Sequence, residues 1–141
     1  MNIIDKFTKA SEDIVFVYTI CGNIEEARSM GYSAIREKHA ISMDYWNINS
    51  IYPWQGVIQE INQFMLMFST KKRLSDNLIK HIESEHSYKI PMIVTANIDM
   101  SNVPYSLWMN DVLNNEEGYI TESEQEAIKI RESDEGFNKL K

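Results

Sequence analysis

The sequence predicts an α+β fold in which a four-stranded antiparallel sheet carries two helices on one face. Segments with the two-residue period of strands alternate with segments of helical period, in the order β-α-β-β-α-β. The two middle strands follow each other directly over residues 39–70 and predict one long hairpin. Because strand–helix–strand connections are right-handed, two interleaved units of this kind give the ferredoxin-like sandwich.

The first strand and the first helix have clear local signals. Residues 14–20 are β-branched and aromatic almost throughout, which is typical of a buried strand. Asn23 follows as an N-cap, with Glu26 three residues later in the capping-box arrangement. Apolar residues then recur at helical spacing, and this helix should end near Lys38 and His39, where positive charge is favourable at a helix C-terminus.

The hairpin has an aromatic end. Residues 64–68 are apolar on both faces, so the second strand should be covered on both sides. Pro53 excludes a central-strand role at the end of the first strand, and Gly56 marks a turn or a bulge. Three aromatic residues lie in this region: Trp46, Tyr52 and Trp54. Exposing this much aromatic surface to water is unfavourable, and large exposed apolar patches usually mark interaction sites, so the sequence predicts an interface here.

The second half of the chain predicts a helix, a strand and a short helix. Thr70 is the expected N-cap of the second helix, and Lys71 is expected to face water. A strand follows from residue 90, with Pro91 at its start or on a sheet edge. Asn102 should cap the short helix over residues 103–113. The spacing places three of its side chains on one face: Tyr105, Trp108 and Val112.

The chain ends differ in composition from the middle. We predict a short leader over residues 1–12, a domain over residues 13–113 and an acidic tail over residues 114–141. Thr121 and Glu124 can cap a marginal helix in the tail, which otherwise has too narrow an apolar face to dock and is expected to be partly disordered.

Composition excludes several classes of partner. The 141 residues carry a net charge of −7 and have an isoelectric point near 4.9, which argues against nucleic acid and anionic membranes. The longest apolar run is far short of the ~20 residues of a membrane span. The first residues lack a secretory pattern, and a single cysteine cannot form an internal disulfide. We therefore expect a cytoplasmic protein without a membrane span.

Several short motifs occur in a characteristic order and spacing. They are Cys21-x-Asn23, Ser50-Ile51-Tyr52-x-Trp54-x-Gly56, His86-x-Tyr88-x-Ile90-Pro91-x-Ile93 and Tyr105-x-x-Trp108. Together they resemble the motifs of the CutA family, the divalent-cation tolerance proteins, and the resemblance covers about residues 13–113.

The resemblance implies a homotrimer of ferredoxin-like subunits, similar in architecture to the PII signal proteins. It implies that the long hairpins join neighbouring subunits and that strand edges meet, with a role in tolerance of divalent metal ions, copper especially, and no catalytic activity. The motif and interface residues that it assigns are Tyr52, Trp54, Gly56, Tyr88, Pro91, Tyr105 and Trp108.

The candidate ligands for copper or another divalent cation are Cys21, at a helix N-terminus, and His86. Lys89 and Met92 stand where relatives often carry carboxylates. An ammonium repels a cation and a thioether suits only soft ions, so we expect negligible affinity for Mg²⁺ and Ca²⁺.

Structural explanations of the same residues remain open. A single cysteine such as Cys21 is more often a buried core residue, and His86 is more often a helix-end residue that hydrogen-bonds within the protein or across the subunit. His81 and His86 are five residues apart, about 140° around a helix, and so do not form a ligand pair on one face. His39 is expected to be an exposed residue at a helix end.

Two function classes follow. The sequence contains no nucleophile–base set and no glycine-rich phosphate loop, so an enzyme is not expected. The first class is a trimeric metal-tolerance protein with weak cation binding. The alternative is a PII-like signalling or interaction protein that binds a small ligand or a partner protein at clefts between subunits, or a trimer that acts only as a scaffold.

Overall fold

The computed structural model describes residues 13–139, with side chains to residue 134. The elements are β1 (Ile14–Cys21), α1 (Ile24–Arg36), β2 (Ser42–Trp54), β3 (Val57–Lys71), α2 (Lys72–Glu85), β4 (Ile93–Asn97), α3 (Val103–Asn114) and α4 (Glu122–Lys139). The strands form one antiparallel sheet in the order β2-β3-β1-β4. The predicted α+β, ferredoxin-like order is therefore confirmed. The predicted leader, residues 1–12, lies outside the described residues.

One face of the sheet packs against α1 and α2 and forms the core. Successive side chains of a strand point to opposite faces of the sheet, so alternate residues of β1 and β3 point to this face. Directly paired residues of the two strands share a face. The buried set comprises Val15, Val17, Leu66 and Phe68 from the strands with Ala27, Met30, Ala34, Leu78 and Ile82 from the helices. Burying each large apolar side chain stabilises the fold by about 1.5–3 kcal/mol, so this layer accounts for much of the stability.

The opposite face of the sheet, which we call the open face, is apolar as well. It is formed by Phe16, Tyr18, Ile20, Trp46, Met65, Met67 and Val94. Helix α3 packs at one end of this face, where the Lys71 ammonium donates to Ser106 Oγ at 2.7 Å. The named residues of the open face stay half-buried or exposed. Residues 64–68 were predicted to be covered on both faces of the strand. In the described part of the chain, only their core face is fully covered.

The predicted start of α2 was wrong. Strand β3 continues through Lys71, which is the N-cap residue and makes no side-chain capping bond. Thr70 therefore still lies in the strand, where its hydroxyl donates to the carbonyl of His39 at 2.6 Å. Lys71 does not face water as predicted, but is 1% exposed opposite Ile14. This burial lowers the pKa of the Lys71 ammonium, and the nearby Asp13 carboxylate partly opposes the shift.

The last two helices show features that the sequence did not predict. In α3 the buried residues are Ser106, Met109 and Leu113, whereas Trp108 is exposed and stacks on Tyr105 with ring centroids 6.1 Å apart. Asn102 is the N-cap, as predicted, although its side chain makes no capping bond. Helix α4 extends beyond the marginal helix that the capping signal suggested. The division of the chain near residue 113 stays a prediction.

The first helix begins as predicted. Asn23 Oδ1 accepts a hydrogen bond from the Glu26 backbone N–H at 2.8 Å. We expect Asn23→Ala to lower the free energy of unfolding by about 1 kcal/mol, whereas Asn23→Asp, which keeps an acceptor oxygen, should cost much less. Urea unfolding at one fixed protein concentration measures both. Equal losses in the two variants would contradict a capping role.

Candidate functional site

A cleft of about 740 Å³ opens between the end of the β2–β3 hairpin and the loop of residues 86–92. Its lining is largely apolar and includes Tyr52, Trp54, Gln63, Tyr88, Lys89 and Met92. Lys89 is the one charged residue among those that line it. The cleft can therefore receive an apolar surface, and it offers a positive charge instead of a carboxylate to an approaching ion.

The hairpin turn determines where the aromatic residues lie. Gln55 and Gly56 have φ angles of +49° and +80°, so both central residues of this two-residue turn are left-handed. Such turns match the right-handed twist of the strands that they join. The turn pairs Trp54 with Val57 at the tip of the hairpin. The sequence-based alternative of a turn or a bulge at Gly56 is thus resolved as a turn.

The side chain of His86 is fully buried, and its ring lies next to that of Tyr88, with centroids 5.1 Å apart. The backbone N–H of Tyr88 donates to its Nδ1 at 3.1 Å, so Nε2 carries the ring proton. Nε2 lies 2.9 Å from the carbonyl of Ile20 and 3.1 Å from Thr19 Oγ1. Both ring nitrogens are therefore engaged within the chain, which matches the structural explanation of His86 as a hydrogen-bonding residue at the end of α2.

Glu26 holds the loop of residues 86–92 against α1. Its two carboxylate oxygens accept hydrogen bonds from the Ser87 N–H and the Ser87 hydroxyl, both at 2.9 Å. Tyr88 is held from the other side, since its hydroxyl donates to Gln63 Oε1 at 2.8 Å. The sequence showed Glu26 as the second half of a capping box. No local signal linked it to Ser87, because the partner lies 61 residues away.

Cys21 is buried at the end of β1, next to the N-terminus of α1. Burial raises the pKa of its thiol to about 11, and the negative charge of Glu26 adds to this shift. The thiol lies 3.5 Å from the carbonyl of Asn23, to which it donates. It is thus protonated near neutral pH and is not an activated thiolate. Metal binding by Cys21 and His86 stays a prediction.

The structure brings some of the expected interface residues together and separates others. Tyr52, Trp54 and Tyr88 share the cleft. Pro91 precedes β4, an edge strand that begins at Ile93, three residues later than predicted. Tyr105 and Trp108 lie on α3 and are not among the residues that line the cleft.

The family model of the CutA1 divalent ion tolerance protein matches residues 15–112, which include β1 without its first residue, all elements from α1 to β4 and most of α3. The chain belongs to the CutA1 family. Its sequence is 28% identical over 113 residues to the CutA homolog of Xenopus laevis, covering 76% of this chain and 75% of that protein. It is 28% identical over 101 residues to the divalent-cation tolerance protein CutA of Thermococcus kodakarensis, and this match covers 72% of this chain and 97% of that protein. The match covers only 59% of the chloroplastic CutA 1 of Oryza sativa.

Solved CutA structures have the same fold. The CutA structure from Synechococcus elongatus PCC7942 superposes with a TM-score of 0.71 at 25% identity, covering 73% of this chain and 92% of that one. The CutA1 structure from Oryza sativa gives 0.70 at 27% identity, covering 77% and 99%. None of the helices in the described part of the chain combines the length and the apolar character that crossing a bilayer requires.

The state of Cys21 gives a chemical prediction. With a pKa of about 11, only about one thousandth of the thiol is ionised at pH 8, and the side chain is buried. We expect thiol-specific labelling of the native protein at pH 8 to be at least a hundredfold slower than labelling of the urea-unfolded chain, which serves as the control. Similar rates in both states would show that the thiol is accessible.

Proposed function

We propose that the protein is a cytoplasmic homotrimer that acts in tolerance of divalent metal ions, copper included, and that it is not an enzyme. The observation that carries the proposal is the CutA1 family match over residues 15–112. Two archaeal relatives are described as divalent-cation tolerance proteins. The surfaces and the buried groups of the described chain support the same proposal.

The distribution of apolar surface supports assembly. The hairpin end exposes 52% of Trp54 and 79% of Ile58, and the open face exposes 45% of Trp46. Burying each of these against another copy would contribute about 1.5–3 kcal/mol. Strands β2 and β4 are both edges of the sheet, so each leaves backbone groups that a neighbouring subunit can pair. We infer that the open face and the cleft are filled by other copies of the chain.

The states of Cys21 and His86 argue against a catalytic role for these two residues. In the described part of the chain the single thiol is buried and protonated, and His86 is engaged through both of its nitrogens. Copper binding at Cys21 and His86 would require that His86 give up its bond to Ile20 or to Tyr88, and that Cys21 lose its proton. This site would consequently be weak and would favour soft ions.

Light scattering tests the assembly. The purified chain should have about three times its 16.5 kDa monomer mass. We expect Trp54→Ala to weaken assembly by about 2 kcal/mol or more, as expected for an aromatic interface anchor. The matched control is Tyr32→Ala, because Tyr32 is similarly exposed but lies on α1, in the helix layer. A monomer at micromolar concentration would refute the proposal.

Growth under metal stress tests the role. Cells that lack their own CutA protein should regain tolerance of raised copper when they express this chain. Tyr32→Ala should restore tolerance equally, and Trp54→Ala should restore it poorly because assembly is weakened. A well-expressed trimer that does not restore copper tolerance would contradict the tolerance role. It would favour the alternative, in which the cleft binds a small ligand or a partner protein.

A further inference from the structure

Three side chains that commonly bind metals meet at the C-terminal end of α1. Glu37 follows the last residue of this helix, His39 comes two residues later and His81 lies on α2. One ligand atom from each residue lies within 4.8 Å of the other two. Glu37 Oε2 is 3.1 Å from Nδ1 of His81 and 3.2 Å from Nε2 of His39. His39, predicted as an exposed helix-end residue, is half-buried here.

The distances are those of a ligand set. In a tetrahedral site with metal–ligand bonds of about 2.0–2.2 Å, neighbouring ligand atoms lie about 3.3–3.6 Å apart. Both contacts of Glu37 come close to this range. The rings of His39 and His81 have centroids 5.0 Å apart and are tilted by 49°, so they converge without stacking. The ligand atoms of all three residues lie within 4.8 Å of one another, so small side-chain rotations would let them share an ion.

The polar contacts around His81 need one more proton or cation than a neutral imidazole and a hydroxyl supply. Its Nε2 lies 2.8 Å from Ser33 Oγ, which in turn lies 2.8 Å from Glu85 Oε2. The run Glu37–His81–Ser33–Glu85 thus contains three polar contacts, whereas a neutral imidazole and a hydroxyl supply two hydrogens. When the hydroxyl donates to Glu85 and Nε2–H donates to the hydroxyl, the Nδ1 lone pair faces the carboxylate of Glu37. A cation between these two atoms removes the repulsion.

This arrangement also resembles the surroundings of protein metal sites. A ligating histidine usually donates its other ring N–H to a carboxylate, a backbone carbonyl or a water molecule, which fixes the tautomer. The Ser33 hydroxyl, which donates to Glu85, is in the corresponding position for His81. His81 is also held firmly, with 10% of its side chain exposed.

The backbone of His39 is fixed from both sides. Its N–H donates to the carbonyl of Ala34 at 2.9 Å, and its carbonyl accepts from the Thr70 hydroxyl at 2.6 Å. Lys38, the preceding residue, has a φ of +60°, and this left-handed conformation reverses the chain after α1. The reversal directs His39 toward α2. A left-handed residue at this position is a common way for a helix to end, and here it fixes where the His39 side chain begins.

The surrounding charges favour a cation. The C-terminal end of α1 is the negative end of its dipole, and Glu37 and Glu85 add two carboxylates. The neighbouring cations are directed elsewhere. Lys38 places its ammonium over the ring of Tyr119, and Arg36 pairs with Glu124.

We propose that Glu37, His39 and His81 bind a borderline divalent transition-metal ion of the zinc or copper(II) class. Glu37 would provide one oxygen, His39 its Nε2 and His81 its Nδ1, leaving a fourth position for water. Two imidazoles and a carboxylate suit these ions and do not suit Mg²⁺ or Ca²⁺. The inference rests on the proposed function, because it identifies residues that could bind the metal ion. All three ligands lie on one chain, so the site does not require the trimer.

Zinc titration of the full chain, followed by calorimetry and by nitrogen NMR of the histidine rings, tests the site. We expect one ion per chain, with shifts at His81 Nδ1 and His39 Nε2. His86 is the internal control and should not shift, because its nitrogens are engaged elsewhere. Zinc that shifts no histidine would overturn the proposal, and would mean that a proton alone occupies the space between Glu37 and His81.

Variants make the test specific. Glu37→Gln changes a side chain that is 58% exposed and should fold normally, yet it should weaken zinc binding at least tenfold. Ser33→Ala should weaken it about 10- to 100-fold, the usual effect of removing an outer hydrogen-bond partner. Glu83→Gln is the matched control, since it removes the same charge from an exposed position of α2. Equal weakening of zinc binding by Glu37→Gln and Glu83→Gln would show that only the overall negative charge matters, and would refute the site.

The outcome is separable from that of the proposed function. A trimer that confers metal tolerance but binds no zinc at these residues would overturn this site alone. Conversely, a chain that binds one zinc ion at His39 and His81 without forming a trimer would overturn the proposed assembly and keep the site.

Discussion

Strand β3 is the constraint on which the rest of the structure depends. It is 15 residues long, pairs with β1 on one side and with β2 on the other, and carries apolar side chains on both faces. Leu66 and Phe68 are buried under α1 and α2, whereas Met65 and Met67 lie on the open face. A strand that is apolar on both faces is stable in water only if both are covered. The helices cover the first face, and we propose that other copies of the chain cover the second.

The fold separates apolar recognition from polar chemistry. The sheet and its hairpin carry the surfaces that fit another subunit, while the helix layer carries the ionisable groups. At one end of α1, Glu26 holds the loop after α2. Glu37, at the other end, meets His81. These two carboxylates are eleven residues apart, about 16 Å along a helix. Binding of an ion at the second therefore need not disturb the cleft that the first supports.

Sequence patterns predicted what depends on local periodicity and missed what depends on long-range packing. The order of elements, the Asn23 cap and the turn at Gly56 were all visible in spacing and residue type. The burial of Lys71 was not, because it follows from pairing with β1 and from the position of α3. The contact between His39 and His81 was hidden for a similar reason. Helical spacing relates His81 only to residues of its own helix, whereas His39 reaches it from the chain reversal after α1.

Residue-resolved amide exchange tests most directly whether another copy of the chain joins the sheet by pairing with its β2 edge. In an isolated chain, alternate amides of the edge strand β2 point away from β3 and exchange freely. If a neighbouring subunit pairs with this edge, both sets of amides in Ser42–Trp54 should exchange slowly at the concentration where the protein is assembled. Exchange of the outward set as fast as in an unfolded peptide, with the inward set protected, would contradict the account.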